Sequence, residues 1–237
     1  MDKRRHRILK YPNSDVDRVF DKENQIIKQM QAGELDQCLM LWRCEKPSLV
    51  LPAGNKWPDS EVLQQSLNQS GWDVYSRRTG GAPVPQTPGL INLSHLYVWP
   101  DETSYSIPIA YQNLCQVLTL FFEGLEVKVD VHATPHSYCD GDYNLNINQQ
   151  KVVGTAQRVI LKPGGGKIVL AQACILIDGD MEYLVQPVNK CNELCGYEER
   201  VKAEVHTCLN QHLDAPLETD ELFNRLVQAF IDSKLYG

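Results

Sequence analysis

The sequence lacks any long apolar run and any excess of positive charge. No window approaches the roughly 20 apolar residues that a transmembrane helix needs, so we expect a protein that does not cross a membrane. The 23 lysines and arginines are outnumbered by 30 aspartates and glutamates, which leaves a net charge of -7. Because attraction to phosphate backbones and anionic lipids depends on positive charge, we expect neither nucleic acid nor a membrane surface as a partner.

Cysteine pairs at zinc-site spacing are also lacking. The eight cysteines are dispersed along 237 residues, a chain too long to depend on disulfides for its stability. Cys191 and Cys195 have no second pair of ligands near them in the sequence, so we expect no metal site. Dispersed thiols in a chain of this size indicate a reducing environment, which predicts a cytoplasmic protein.

The composition that is present is typical of a globular protein. Apolar residues make up 43% and charged residues 22% of the chain. The length allows one large or two small domains, and we expect a single domain over residues 1–237, with a helical C-terminal segment from about residue 198. We expect the basic cluster at residues 3–7 to be a solvated tail.

Apolar periodicity predicts a mixture of helices and strands. The first helix is expected to begin near Ser14, where Ser14 and Asp17 resemble a capping box. Further helices are predicted near residues 59–68, 109–123 and 222–231. Strands are predicted near residues 38–44, 49–51, 72–76 and 89–99, and several antiparallel strands within 126–177. Since there is no regular βαβ alternation, we predict an α+β fold with a mixed, largely antiparallel central sheet and flanking helices.

A first motif combines guanidinium groups with adjacent glycines in the segment Arg77-Arg78-Thr79-Gly80-Gly81-Ala82-Pro83-Val84. Glycine lets the backbone approach a ligand closely, and arginine binds phosphate or carboxylate through its forked donors. A Gly-Gly turn between strands is nevertheless more often structural. Physical chemistry alone therefore leaves both interpretations open.

A second motif, Lys151-Val152-Val153-Gly154-Thr155-Ala156-Gln157, follows a polar turn at residues 148–150. Lys151 is either an exposed residue of a hairpin or a cation that holds an acyl carbonyl or phosphate oxygen. The small residues at 154–156 leave room for a substrate chain beside it. The spacing does not choose between these two roles.

In this order and separation, the two motifs resemble those of the lipoate-protein ligase A family, which includes octanoyltransferases and, more distantly, biotin-protein ligases. The matching residues are Arg77, Arg78, Thr79, Gly80, Gly81, Val84, Lys151, Gly154, Thr155, Ala156 and Gln157. The resemblance covers roughly residues 15–210 and implies a single catalytic domain of the biotin/lipoate-protein ligase type. It further implies that the matching residues bind an acyl group or acyl-adenylate, with lipoate or octanoate as the acyl substrate.

Two departures from the family pattern bear on the kind of reaction. Ligases of the family commonly have His-Asp where this chain has Gln86-Thr87, and Asn-Asp where it has Tyr143-Asn144. Both differences count against the chemistry of an acyl-adenylate. An ATP-dependent ligase, which would require ATP and Mg²⁺, is therefore kept as the alternative.

Cys139 is the third signal in the sequence. The cysteine-dependent octanoyltransferases of the family place a nucleophilic cysteine before the lysine-bearing hairpin, and Cys139 falls in that region. A thiol with a pKa near ~8.5 becomes a good nucleophile at neutral pH only when a cation lowers that value. Lys151, His132 or His136 are the candidate cations. The alternative is that Cys139 is an ordinary thiol of a loop.

The resemblance implies covalent attachment of a lipoyl or octanoyl group to a lysine of a lipoyl-domain protein. We favour acyl transfer through a thioester on Cys139, with Lys151 holding the carbonyl and with an acyl carrier protein or another acylated lipoyl protein as donor. The first alternative is a lipoate-protein ligase in which Arg77, Arg78 and Lys151 hold a lipoyl-adenylate. The second is a non-catalytic protein that binds a lipoyl or biotinyl group.

Overall fold

The computed structural model describes residues 5–100 and 103–235. Its helices are α1 (Val16–Gln31), α2 (Glu61–Gln69), α3 (Ile107–Glu123), α4 (Met181–Leu194) and α5 (Thr219–Asp232). Its strands are β1 (His6–Ser14), β2 (Gln37–Cys44), β3 (Ser48–Leu51), β4 (Asp73–Ser76), β5 (Val84–Gln86), β6 (Leu90–Val98), β7 (Asp130–Val131), β8 (Leu145–Ile147), β9 (Gln150–Leu161) and β10 (Lys167–Leu176). These bounds place helices and strands intermixed along the chain.

The strands form a seven-stranded sheet in the order β1-β2-β6-β10-β9-β8-β7 and a three-stranded sheet in the order β4-β3-β5. In the large sheet β1 and β2 run parallel, and the remaining neighbours run antiparallel. In the small sheet β3 is parallel to β4 and antiparallel to β5. The predicted α+β fold with a mixed, largely antiparallel sheet is therefore confirmed.

The large sheet buries side chains on both faces. Along β2, Leu39 and Leu41 belong to a core that includes residues of α3 and α5. The alternate residues Met40 and Trp42 belong to a second core that includes residues of α1. This alternation follows from the two-residue period of a strand. Strand β2 thus reads as one continuous apolar run because neither of its faces meets water.

Helix α1 begins one residue later than predicted, and the capping box at Ser14 is wrong. Ser14 is the last residue of β1 and pairs with Cys44. Asp15 is the N-cap, and its carboxylate accepts from the main-chain N–H groups of Asp17 and Arg18. A carboxylate at the N-cap satisfies these otherwise unpaired donors.

The N-terminal cluster is not a solvated tail where the structure describes it. Residues 3 and 4 lie outside the described residues, whereas His6 and Arg7 belong to β1 and pair in parallel with Gln37 and Cys38. The side chains of His6 and Arg7 are exposed, so their polarity suits the edge of a sheet. Local pattern missed this strand because its pairing partner lies far along the chain.

Two further elements differ from the predictions. Helix α4 was missed because it contains Pro187, and proline normally disfavours the interior of a helix. The expected helical segment from residue 198 is wrong over its first part: residues 198–218 contain two short 3-10 turns, and α5 begins only at Thr219. That the chain is a single domain stays a prediction.

Candidate active site

Lys151 is a buried cation at the start of β9. The turn before it holds Asn148 and Gln149 at φ angles of 50° and 69°, which closes the hairpin tightly. The side chain is 0% exposed, so the interpretation of Lys151 as an exposed hairpin residue is wrong. Its Nζ donates to the carbonyl oxygens of Tyr138 and Cys139, the latter at 3.1 Å. The ammonium also lies 4.4 Å from the centroid of the Tyr138 ring, an attractive contact between cation and π face.

The surroundings of Lys151 lower the pKa of its ammonium group towards neutral pH. Burial lowers the pKa of Lys151 to about 8, against the opposing influence of Cys139 and Asp140. His206 adds no positive charge there, because burial and the charge of Lys151 lower the pKa of His206 to about 4. The neutral imidazole stacks on the Tyr138 ring at 4.8 Å. Lys151 can therefore hold or release a proton near neutral pH.

Cys139 lies in the loop between β7 and β8, with a φ of 51°. Burial by itself raises the pKa of its thiol, but the ammonium of Lys151 and the guanidinium of Arg77 outweigh burial and lower that pKa below 9.0. Neither His132 nor His136 is among the groups that shift it. A thiol held between two cations has the environment of a reactive cysteine.

Gly81 and Gly154 allow the backbone to pass close to this pair of side chains. A Cβ atom at Gly81 would lie 2.8 Å from Sγ of Cys139 and 3.0 Å from Nη2 of Arg77. A Cβ atom at Gly154 would lie 3.1 Å from Cε and 3.2 Å from Nζ of Lys151. Both glycines of the predicted motifs thus stand where a larger residue would displace a charged or nucleophilic group.

The rest of the first motif lies around Arg77. Nη2 of Arg77 donates to the carbonyl oxygens of Gly80 and Ala82, at 2.9 and 3.1 Å, and so holds the glycine turn in shape. A Cβ atom at Gly80 would meet nothing within 4 Å. Gly80 is thus open to its surroundings, in contrast to the glycine that follows it.

Arg78 and Thr79 line a neighbouring pocket, which also receives Arg158 and the buried Glu23. The hydroxyl group of Thr79 donates to Oε1 of Gln172 at 3.0 Å, and Nε2 of Gln172 donates to Glu23 at 2.9 Å. Burial raises the pKa of Glu23, which favours its neutral form. Thr79 is therefore part of a buried polar chain behind the glycine turn.

A pocket opens between the two sheets beside Cys139. Its lining includes Val84 from the first motif and the three small residues Gly154, Thr155 and Ala156 from the second. The structure thus brings both motifs together around one cavity.

Gln157, a further predicted site residue, does not line this pocket either. Its Nε2 donates to the carbonyl oxygen of Ile107, at the start of α3, at 3.0 Å. Along β9 the side chains alternate between the two faces of the sheet, so Gln157 lies on the face opposite that of Gly154 and Ala156. A role for Gln157 in holding α3 therefore fits its contacts better than ligand binding.

Several pocket residues had no signal in the sequence. Cys174 lines the same pocket as Cys139, but burial raises the pKa of its thiol to about 12. The amide groups of Gln86 and Asn92 are paired with each other there, at 2.7 and 3.1 Å. Gln86 was considered only as a departure from the ligase pattern. These residues come from separate strands, so no local motif connects them.

The described residues contain neither a cluster of metal ligands nor a helix that could span a membrane. Among residues 5–100 and 103–235, no three side chains of His, Cys, Asp or Glu lie together as metal ligands would. In the same part of the chain, no helix is both long and apolar enough to cross a bilayer.

Solved structures of lipoate-protein ligases share this fold. The chain superposes on lipoate-protein ligase A bound with ATP with a TM-score of 0.76 at 15% identity, over 97% of this chain and 85% of that one. It superposes on the bipartite lipoate protein ligase of Thermoplasma acidophilum with a TM-score of 0.67 at 17% identity, over 97% and 83%. At these identities the likeness establishes the fold.

Residues 15–231 match the family model of the lipoyl protein ligase A/B catalytic domain. The chain belongs to that family. It is 25% identical to the octanoyl-[GcvH]:protein N-octanoyltransferase of Geobacillus kaustophilus, over 89% of this chain and 75% of that protein. It is 28% identical to the lipoyl-[GcvH]:protein N-lipoyltransferase of Listeria monocytogenes, over 71% and 59%.

A relative of unknown function from Cupriavidus necator is 33% identical over 62% of both chains. The matched segments span 62% of this relative and 59% of the Listeria protein, less than two thirds of each. Family membership is thus established over the catalytic core, and the complete activity is a matter for proposal.

Proposed function

We propose that this protein transfers an octanoyl or lipoyl group to a lysine of a lipoyl-domain protein, through a thioester on Cys139. The observation that carries this proposal is the position of Cys139: its thiol lies beside the cations Lys151 and Arg77, and its side chain lines the pocket between the two sheets. Two relatives named for the transfer of octanoyl and lipoyl groups from GcvH support it.

The first half-reaction loads the enzyme. The thiolate of Cys139 attacks the carbonyl carbon of the donor, a C–S bond forms, and the bond between the acyl group and the donor breaks. The negative charge that develops on the carbonyl oxygen lies near the ammonium of Lys151. The leaving group is a thiolate from an acyl carrier protein or an amine from an acylated lipoyl domain. The ammonium of Lys151 can supply the proton that the departing amine takes up, because the pKa of Lys151 is about 8.

The second half-reaction transfers the acyl group from Cys139 to the acceptor. The lysine amine of the acceptor attacks the thioester carbonyl, a C–N bond forms, the C–S bond breaks and the thiolate of Cys139 returns. The proton lost by the attacking amine passes to a base, and Lys151 in its neutral form can accept it because its pKa is about 8. The product carries the acyl chain as a stable amide.

The test is to incubate the purified protein with octanoyl-carrier protein, or with an octanoylated lipoyl domain, in the absence of ATP. We expect an octanoyl adduct on Cys139 that intact-protein mass spectrometry detects and hydroxylamine removes. Cys139→Ser should lose this adduct. Cys115→Ala is the matched control, because Cys115 is a buried residue of helix α3 and burial raises its pKa to about 12.

The alternative is an ATP-dependent ligase, which the fold shared with the ATP-bound ligase A favours. In that case acylation of a lipoyl domain should require ATP, Mg²⁺ and free octanoate or lipoate, and Cys139→Ala should leave it intact. That result would replace the thioester mechanism, while the family assignment would stand.

A further inference from the structure

Four neighbouring strands each place one residue in a row along the floor of the pocket. In the register of the large sheet, Gly154 of β9 lies opposite Cys174 of β10, and Cys174 lies opposite Asn92 of β6. Asn92 in turn lies opposite Trp42 of β2. All four residues line the pocket. Since directly opposed residues project from the same face of a sheet, the row crosses the strands from Gly154 to Trp42.

The Gly154 end of this row is the reactive end. The close approach of Gly154 to Cε and Nζ of Lys151 fixes the ammonium above this point of the floor. The thiol of Cys139 is near enough to Lys151 for the ammonium to lower its pKa. An acyl chain attached to Cys139 can therefore extend from β9 across β10 and β6 towards β2.

The opposite end of the row is closed by an indole ring. Trp42 is 3% exposed, and Phe20 of α1 packs edge-on against it, with ring centroids 6.2 Å apart. Nε1 of Trp42 donates to the hydroxyl group of Ser94 at 3.4 Å, which gives the ring a second point of attachment. Side-chain size thus rises along the row, from none at Gly154 to the largest natural side chain at Trp42.

The dimensions of the row match a medium-length acyl chain. Neighbouring strands lie about 4.8 Å apart, so the backbones of β9 and β2 are separated by roughly 14 Å. Seven carbon–carbon bonds of about 1.5 Å, laid out in a zigzag, reach roughly 9 Å. The indole of Trp42 projects from β2 at the far end of the row, so an acyl chain has less than this full separation available.

The polar groups of the floor do not oppose an apolar ligand. Asn92 and Gln86 exchange hydrogen bonds with each other, and Nε2 of Gln86 also lies 3.5 Å from Sγ of Cys174. Because the two amides already bind each other, a hydrocarbon chain that covers them breaks none of these hydrogen bonds. The desolvation cost of covering them is therefore smaller than it would be for unpaired amides.

From this geometry we infer that Trp42, supported by Phe20, is the end wall of the acyl pocket and restricts the protein to acyl groups of about eight carbons. This inference rests on the acyl site of the proposed function. It does not depend on whether Cys139 forms a thioester. Trp42 acts here as a specificity residue that contacts the end of the acyl chain.

The test compares Trp42→Ala and the milder Trp42→Phe with the wild-type protein. Binding of free saturated fatty acids from six to fourteen carbons is measured by calorimetry, and adduct formation from acyl-carrier proteins of the same lengths by mass spectrometry. We expect a wild-type optimum near eight carbons. Each additional buried CH₂ group contributes about fourfold in affinity, so the ratio of twelve-carbon to eight-carbon binding should rise at least about tenfold in Trp42→Ala.

Met40→Ala is the matched control. Met40 lies two residues from Trp42 on the same strand and in the same core, and it is fully buried, but it does not line the pocket. We expect this variant to lose stability without a change in the chain-length profile. If Trp42→Ala fails to fold, Trp42→Phe should still move the optimum towards longer chains.

Two outcomes separate this inference from the proposed mechanism. In the first outcome, the wild-type protein forms a thioester with octanoyl donors, but the folded Trp42 variants keep the wild-type chain-length profile. This result would contradict the role of Trp42 as end wall and leave the thioester mechanism intact. Octanoate binding whose profile shifts in Trp42 variants, without any adduct on Cys139, would overturn the thioester and support the end wall. A shift of equal size in Met40→Ala would also contradict the specific role of Trp42.

Discussion

The two ends of the pocket are built in opposite ways. At the reactive end, the nucleophile Cys139 and the glycine Gly81 lie in loops, at φ angles of 51° and 112°, beside Lys151 of β9. The acyl end is carried by strands, where Trp42 and Asn92 occupy fixed positions in the sheet register. Loops allow charged groups to be arranged around a chosen atom, whereas a sheet fixes the length and shape of a cavity.

The two thiols of the pocket show the same contrast. The pKa of Cys139 is lowered because two cations outweigh the effect of burial, whereas burial raises the pKa of Cys174 to about 12. Both side chains line one cavity. The balance between nearby cations and burial therefore decides which thiol is reactive.

The strongest test of this contrast exchanges the two cysteines separately for alanine. Cys139→Ala should reduce acyl transfer by at least about a thousandfold, because the nucleophile is lost. Cys174→Ala should still form the adduct, since its thiol is not ionised near neutral pH. Single-turnover transfer of a radiolabelled octanoyl group measures both. Equal losses in the two variants would mean that the pocket needs both thiols, contrary to the division described above.

A second prediction concerns the cation beside the thiol. Lys151→Ala should lower the rate of acylation by about 10²- to 10³-fold, the cost typical of removing a group that stabilises a developing oxyanion. Lys151→Arg should not restore it, because a planar guanidinium does not fit a pocket shaped around an ammonium. Lys162→Ala, in the turn between β9 and β10, is the control. Transfer near the wild-type rate in either Lys151 variant would remove this residue from the mechanism.

A third prediction uses two neighbouring glycines. Gly81→Ala should lower acylation by about tenfold to a hundredfold, because the added Cβ atom would lie 2.8 Å from Sγ of Cys139 and displace it. Gly80→Ala should have little effect, since nothing lies within 4 Å of its Cβ position. Adduct formation under single-turnover conditions measures the difference.

A control for backbone strain is available in the same chain. Gly54 has a φ of 114°, close to that of Gly81, but its Cβ position is open. Gly54→Ala should therefore cost comparable stability in a thermal melt without loss of acylation. If Gly54→Ala impaired acylation as much as Gly81→Ala, the effect would come from strain and not from the displaced thiol.

The elements that sequence could predict are those whose signal is local. Helix α3 was expected because apolar residues recur at helical spacing, and β2 because its residues are apolar on both faces. Strand β1 was missed because it forms only by pairing with β2. Helix α4 was missed because proline, here Pro187, normally indicates that a segment is not helical. The fold class followed from the balance of elements, which tolerates such local errors.

In the candidate site, too, only the residues of local motifs could be predicted from the sequence. The motifs located Lys151 and the glycine turn, and the structure places both next to Cys139, which lines the pocket. Trp42 and Cys174 carried no signal, because the row that joins them is created by the register of strands far apart in the chain. Trp42 and Cys174 belong to the site because of the order of the strands in the sheet. No single segment of the sequence determines that order.

The last and smallest expected effect concerns the ionisation of the two thiols. Because its pKa is lowered, Cys139 should react with iodoacetamide at neutral pH faster than an ordinary thiol with a pKa of 9.0, and the midpoint of its pH–rate profile should lie below that value. Lys151→Met should move the midpoint upwards and slow alkylation near pH 7, because the remaining burial favours the neutral thiol. Cys174 should stay unmodified until the protein unfolds. Peptide mapping after timed alkylation measures both sites in one sample. An unchanged midpoint in Lys151→Met would show that Arg77 alone ionises the thiol, and alkylation of Cys174 at the rate of Cys139 would contradict the contrast between the two ends of the pocket.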